Sequence, residues 1–305
     1  MILTNPTRTS TVDGPPTSAS TATAVALFLY KRPHLASTVL ASIRSARPTK
    51  LFLIADGPSC AQDLEACGAS RRLAAEVDWD CEIWKNYSDI HLGCCERISS
   101  GISWVFEHVD QAIFLEDDCV ADGSFFPFCE ELLSLYKHDT RVMAVTGFNL
   151  LDQSEPNEQS YVFSRYSSSW GWATWRNAWR YFDASMSAWA DSDIRDHIRH
   201  VLGDDDQFEE RTKLIEKVLS GSLDSWAIPW SLACLMRGGL CAVPTVNLIS
   251  NIGFGQGATH FHNPDDPNAG IPRSSISFPL RGPLVVEADR NYDRQWHRKA
   301  CGQTA

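Results

Sequence analysis

The chain has no apolar run approaching 18 residues, so no membrane-spanning helix is expected. It has no P-loop and no GxGxxG pattern after a strand, which removes two glycine-based phosphate cradles. It has no internal repeat. Its ten cysteines lack metal-finger spacing. Cys94 and Cys95 are adjacent, and several others lie in apolar strands or helices, a pattern of buried free thiols in a reducing compartment. Positive charge is scarce: 27 Lys and Arg stand against 38 Asp and Glu, giving a net charge of -11. A general nucleic-acid partner needs a basic footprint, so none is expected. A phosphate ligand is not excluded, because a bound metal can supply the local positive charge. Residues 1–23 are rich in Ser, Thr and Pro, lack the apolar core of a signal peptide, and read as a disordered tail. The expected location is the cytoplasm, with peripheral association at the inner membrane left open.

What is present fits a soluble globular protein of one large domain or two small ones, with 305 residues, 44% hydrophobic and 21% charged. The stretch Ala112-Ile113-Phe114-Leu115-Glu116-Asp117-Asp118 is the focus. Its apolar part is too short for a helix and reads as a buried strand. Three acids at a strand end repel one another unless a cation or hydrogen-bond donors lie among them. A hard ion such as Mn²⁺ or Mg²⁺ takes one or two carboxylates plus substrate phosphates. The alternative is a solvated acidic turn that caps the next helix.

Strands are expected at Ala24–Tyr30, Leu51–Ile54, Cys81–Trp84 and Val142–Val145, with helical spacing over 34–46, 61–76, 94–109 and from Phe125 to Tyr136. This βαβαβ alternation predicts an α/β fold, a mainly parallel twisted sheet with helices on both faces. Ligands of such sheets bind beyond the carboxyl ends of the strands. Lys31, Arg32, Asp56 and Asp118 all fall there, which favours the metal-diphosphate reading. Seven of the eleven tryptophans lie between Trp170 and Trp230. Most suit an ordinary core. Trp172, beside a glycine, is the one expected to contact a ligand, with Trp226 as a second wall. A helix is expected over 206–219, with Phe208, Ile215, Val218 and Leu219 inward and Asp204 to Asp206 capping it. Three glycines precede His260, suggesting a loop that brings it onto a ligand.

Taken in order, these residues resemble a family. The pieces are Tyr30-Lys31-Arg32-Pro33, Ala55-Asp56-Gly57, His91-Leu92-Gly93 through Arg97, Leu115-Glu116-Asp117-Asp118, Trp170 to Trp175, Asp224-Ser225-Trp226-Ala227 and Asn251 to His260. The chain looks like a GT-A-fold, nucleotide-sugar-dependent glycosyltransferase of the bacterial family 2 type, similar in layout to the N-acetylglucosaminyltransferase I group. The resemblance covers about residues 24–285. It implies a UDP-sugar donor, a Mn²⁺ or Mg²⁺ ion, and hexosyl or N-acetylhexosaminyl transfer. The acceptor is a hydroxyl on a saccharide, a lipid-linked glycan or a peptide. It implies that Asp118 ligates the metal in a DxD-like motif, Asp117 faces the ribose, and Glu116 contacts donor sugar or nucleotide. It implies that Asp56 contacts the base, that Arg97 is a donor-side cation, and that His260 meets metal or diphosphate. One departure is visible: the family pattern has Asn-Arg-Pro where this chain has Lys31-Arg32-Pro33. Lys31 therefore faces either phosphate or solvent.

The reading is one GT-A domain: 24–150 the nucleotide-sugar half, 151–285 the acceptor half, 286–305 a helical or loose tail. Inverting transfer needs a carboxylate on the acceptor side of the sugar, although a fold does not fix stereochemistry. The strand-end acids are committed to donor and metal, so the base is expected from the second half, and Asp224 beside Trp226 is chosen. Asp224 could equally be a helix cap. A sugar-phosphate nucleotidyltransferase and a non-catalytic carbohydrate-binding protein are the alternatives. The first should carry a Gly-rich basic loop after the first strand; the second has no need of three acids at a strand end.

Overall fold

The computed structural model describes residues 20–151, 159–255, 263 and 265–302. The strands are β1 Ala24–Leu29, β2 Lys50–Ala55, β3 Glu82–Tyr87, β4 Gln111–Glu116, β5 Cys119–Ala121, β6 Val142–Thr146, β7 Tyr161–Ser164, β8 Trp172–Trp175, β9 Leu240–Pro244 and β10 Ile249–Asn251. The helices are α1 Pro33–Ala46, α2 Leu64–Arg72, α3 Cys94–His108, α4 Phe125–Leu135, α5 Arg176–Trp179, α6 Ser192–Leu202, α7 Asp205–Leu219, α8 Ala227–Met236 and α9 Arg290–Ala300.

Eight strands form one sheet in the order β3-β2-β1-β4-β8-β6-β9-β7. The pairs β2·β3, β1·β2, β1·β4 and β6·β9 are parallel, while β8 and β7 run against their neighbours. The fold is mixed α/β with a mostly parallel sheet. β1 carries no polar residue because both its faces are covered. Val25, Leu27 and Leu29 pack with Val39, Ile43 and Phe128 on one face. Ala26 and Phe28 pack with Ile98, Ile102 and Trp230 on the other. Each fully buried Val, Leu, Ile or Phe side chain contributes about 1.5–3 kcal/mol, so the two layers fix the sheet's position.

Local signals explain the ends that matter for the site. Pro33 opens α1, where its missing N–H costs nothing. Asp204 Oδ1 accepts from Gln207 N at 3.0 Å, capping α7 as its sequence suggests. Leu219, expected inward, is the last residue of α7 and is exposed. A small antiparallel pair, β5 with β10, sits just after the acids and ties Asn251 to Cys119. Residues 20–23 are docked: Glu130 accepts from the backbone of Ala22 and Thr23 at 2.9 and 3.0 Å. Near the C-terminus α9 is held by a buried Asp293, whose Oδ1 accepts from Ser164 Oγ at 2.6 Å. All ten cysteines are free. No helix among the described residues is long and apolar enough to cross a membrane.

Candidate active site

β1, β2 and β4 run parallel, so their carboxyl ends open on one side of the sheet. The residues that follow each strand meet there. Lys31, Arg32, Asp56, Arg97, Glu116, Asp117 and Asp224 all line one cavity of about 360 Å³. A second cavity of about 700 Å³ shares Arg32, Cys94 and Glu116 with the first and adds Asp118, Trp170, Lys217 and Trp226. Together they form one bipartite cleft with the acids at its waist.

The acids are not alone. Nη2 of Arg32 lies 2.9 Å from Asp118 Oδ2 and also contacts Asp117 Oδ1. Burial works against the Arg32 charge, but Asp117 and Asp118 outweigh it and hold the guanidinium firmly protonated. Burial pushes Asp117 up to about 6 against the pull of Arg32. Burial, reinforced by the charges of Asp118 and Asp117, pushes Glu116 up to about 8, with Trp226 opposing through a hydrogen bond. Asp117 Oδ2 is buried with no hydrogen-bond partner. Gly253 lies so close that an added Cβ would stand 2.0 Å from Asp118 Oδ2. Only glycine lets that backbone approach the carboxylate.

Asp56 is a clasp for the loop between β3 and α3. Its Oδ1 accepts from Gly57 N and Leu92 N at 2.8 and 2.9 Å, and Oδ2 from Gly93 N at 3.2 Å. Nδ1 of His91 lies 2.7 Å from the same Oδ2. Four donors thus surround one carboxylate. His91 stacks on Tyr30 with ring centroids 5.1 Å apart. Lys31 is paired with Asp63 at 3.1 Å, which turns it along the cleft wall. Nη2 of Arg97 donates to Asn86 O and Oδ1 at 3.2 and 3.0 Å. Its Nε is buried and unpartnered.

Asp224 caps a helix, but not its own. Its Oδ2 accepts from Cys94 N at 2.7 Å and its Oδ1 from Cys95 N at 2.9 Å, so it sits on the first turn of α3. Sequence spacing hid this because the partners are about 130 residues away. α8 itself, capped by Trp226, has no side-chain cap.

The two tryptophans part company. Trp226 lines the second cavity. Trp172, expected to touch a ligand, lines neither cavity and is 3% exposed. It stacks between Phe114 and Trp226 at 5.1 Å from each, because both faces of β8 are covered and its side chain falls in the core layer that also holds Phe114 and Trp226. Trp170, left with the core tryptophans by the sequence, lines the second cavity instead. His91 and Cys94 also face the first cavity. His260 lies outside the described residues. Among the described residues no group of three or more His, Cys, Asp and Glu could hold a metal by itself.

No protein-family model and no curated protein matches the chain. Solved structures share its general layout at a distance. A mannosyltransferase, PcManGT from Pyrobaculum calidifontis in complex with GDP-Man and Mn²⁺, is 14% identical over 54% of this chain and 47% of its own, with a TM-score of 0.38. The chain thus spans about half the length of that protein. The galactosyltransferase LgtC, with donor and acceptor sugar analogues, is 13% identical over 92% of this chain and 96% of its own, with a TM-score of 0.39. A glucose-1-phosphate thymidylyltransferase from Bacillus anthracis, described there with a sucrose, is 10% identical over 53% of this chain and 74% of its own, with a TM-score of 0.35. What each of these binds is a property of that protein.

Proposed function

We propose that this chain is a GT-A glycosyltransferase that moves a sugar from a nucleoside diphosphate, UDP in the first instance, to a hydroxyl acceptor. The observation that carries the reading is the bipartite cleft. Glu116, Asp117 and Asp118 stand where the two cavities meet. The first cavity is polar at Arg32, Arg97 and Asp56 and suits a nucleotide. The second offers indole faces at Trp170 and Trp226, which pack well on sugar C–H faces.

A divalent cation fits this donor set. Asp117 and Asp118 present hard oxygens, and the unpartnered Oδ2 of Asp117 is a buried acceptor in want of a cation or donor. A site of one or two carboxylates completed by diphosphate oxygens needs no third protein ligand. Asp118, with Asp117 beside it, would hold Mn²⁺ or Mg²⁺, and His260 is the proposed further ligand. Bound there, the ion would neutralise the charge on the leaving diphosphate. Arg32 supplies fixed positive charge at the same place. Arg97, with its free Nε–H, supports the donor side. Asp224 is the proposed base; it lines the first cavity beside Cys94 and Glu116, which both cavities share. The two N–H groups of α3 fix its orientation and leave lone pairs for an acceptor hydroxyl. Inversion at the sugar carbon follows if Asp224 deprotonates the acceptor opposite the diphosphate.

Thermal-shift measurement with UDP-, GDP- and other nucleotide sugars, with and without Mn²⁺, tests the reading. A Mn²⁺-dependent rise in Tm, absent in Asp118→Ala, is the expected result. No shift with any nucleotide sugar in Mn²⁺ would overturn it.

A further inference from the structure

The end of the sheet opposite the cleft carries its own concentration of charge. A cavity of about 390 Å³ opens there, beside Val142 at the start of β6 and Trp175 at the end of β8. Trp175 pairs with Gln111, the first residue of β4, whereas the cleft acids lie at and beyond its last. Four cations line this cavity, Lys137, Arg141, Arg180 and Arg237, against one acid, Asp139. Asp139 is already engaged: Arg141 Nε and Nη2 donate to it at 2.9 and 2.6 Å. Among the described residues Lys137, Arg180 and Arg237 form no ion pair.

Helix ends explain part of this. Arg180 and Arg237 are the C-caps of α5 and α8, and Lys137 follows the C-cap of α4. A cation at each helix C-terminus offsets the dipole there. That does not explain why two guanidiniums turn to one ring. The Arg180 and Arg237 carbons lie 4.7 and 4.5 Å from the Tyr181 centroid, and Arg180 Nη2 donates to Tyr181 Oη at 2.5 Å. Two like charges drawn to one ring repel, and an anion between them would relieve the repulsion. In a chain of net charge -11 such a focus of positive charge is conspicuous to an approaching anion.

We infer that this cavity binds a phosphate group. The arginine fork donates two parallel bonds to phosphate oxygens. Three unpaired cations match the charge of a phosphate better than the single charge of a carboxylate. The volume suits a small phosphorylated molecule or a lipid headgroup. The inference is independent of the proposed transfer reaction.

The test uses the full chain in EDTA, so that no divalent ion recruits phosphate to the cleft. Calorimetric titration with inorganic pyrophosphate is one arm. Co-flotation with phosphatidylglycerol vesicles, against phosphatidylcholine vesicles, is the other. Arg180→Gln/Arg237→Gln should weaken the wild-type binding by at least about tenfold. Both side chains are exposed, so loss of their helix-end and ring contacts should move the melting curve only slightly, and the variant stays folded. Arg237→Lys, which keeps charge without the fork, should fall between wild type and the double variant. Pyrophosphate binding lost in the double variant assigns a free phosphorylated compound. Vesicle binding alone, lost in the double variant, assigns the headgroup phosphate. Absence of binding in both arms, or binding the double variant leaves intact, overturns the inference.

Discussion

Nη2 of Arg32 lies 2.9 Å from Oδ2 of Asp118, and the same nitrogen contacts Asp117. One guanidinium therefore separates two nearly buried carboxylates that follow each other in sequence. It occupies the charge balance a metal ion would also serve. Arg32→Ala should lower stability by up to about 3 kcal/mol, since an unpaired buried charge is left behind, and by less if Asp117 takes a proton. Mn²⁺ should then raise the Tm of the variant more than that of wild type, because the ion now replaces the missing cation. A variant whose Tm ignores Mn²⁺ would argue against a metal at these acids.

Asp224 offers a separable prediction. It holds two N–H groups at the start of α3, so Asp224→Ala should cost about 1 kcal/mol as a lost cap. If it is also the base, kcat should fall on the order of 10²–10⁴ with donor affinity kept. Asp224→Asn is less conservative than it looks. Its amide would turn an N–H toward one of the two backbone donors. Glu116→Gln is the comparison, since Glu116 stands at the waist with its proton held up to about 8. A large kcat loss in Glu116→Gln and none in Asp224→Ala, measured per folded molecule, would move the base to Glu116.

The first half of the chain was legible because its signals are local. Apolar runs that end in Lys31-Arg32, Asp56 and Glu116-Asp117-Asp118 announce parallel strands whose ends meet, and the cleft gathers all of them. The second half was less legible. β7 and β8 have four residues each, too short to show a period, and they join the sheet antiparallel through pairings far apart in sequence. Trp172 and Trp170 could not be told apart by composition. Trp170 stands before β8, and the left-handed turn at Gly171 (φ 62°) separates it at the cavity from Trp172, the first and buried residue of the strand. The clasp at Asp56 and the cap at Asp224 are long-range hydrogen bonds, on which sequence spacing is silent.

Gly253 tests the geometry at Asp118 from the other side. A Cβ there would stand 2.0 Å from Asp118 Oδ2 and 2.7 Å from its Cβ, so something must move. The backbone is pinned, because Ile252 N donates to Asp118 O at 2.9 Å and Gly253 N to Asn251 Oδ1 at 2.7 Å. The Asp118 side chain is the softer partner. Gly253→Ala should leave the fold cooperative, lower stability by about 1–3 kcal/mol as overpacking does, and abolish Mn²⁺-dependent UDP binding. Calorimetry on the variant decides: wild-type affinity would mean that Asp118 need not stand where it does.

Asp293, a buried carboxylate that lines neither cavity of the cleft, couples stability to pH. Asp293 is pushed up from 3.8 to about 6, chiefly by burial. Hydrogen bonds from Ser164 Oγ and Arg165 N, and the charges of Arg165 and Arg290, oppose that shift without cancelling it. The folded state thus binds this proton more tightly than the unfolded chain does. Below about pH 4 both states are protonated, and the contribution of Asp293 to stability is complete. Between about pH 4 and pH 6 the unfolded chain gives up the proton while the folded chain still holds it, so stability falls as pH rises. Above that window both are ionised and the loss is constant, at most about 3 kcal/mol for a shift of this size. Glu116 and Asp117 carry slopes of the same sign, so wild type alone does not isolate Asp293. The difference in unfolding free energy between wild type and Asp293→Asn removes them, since both proteins share those groups. Measured by urea unfolding at each pH, that difference should decline from pH 4 to 6 and then level off. A flat difference across the window would mean that Asp293 titrates in the folded protein as it does in the unfolded chain.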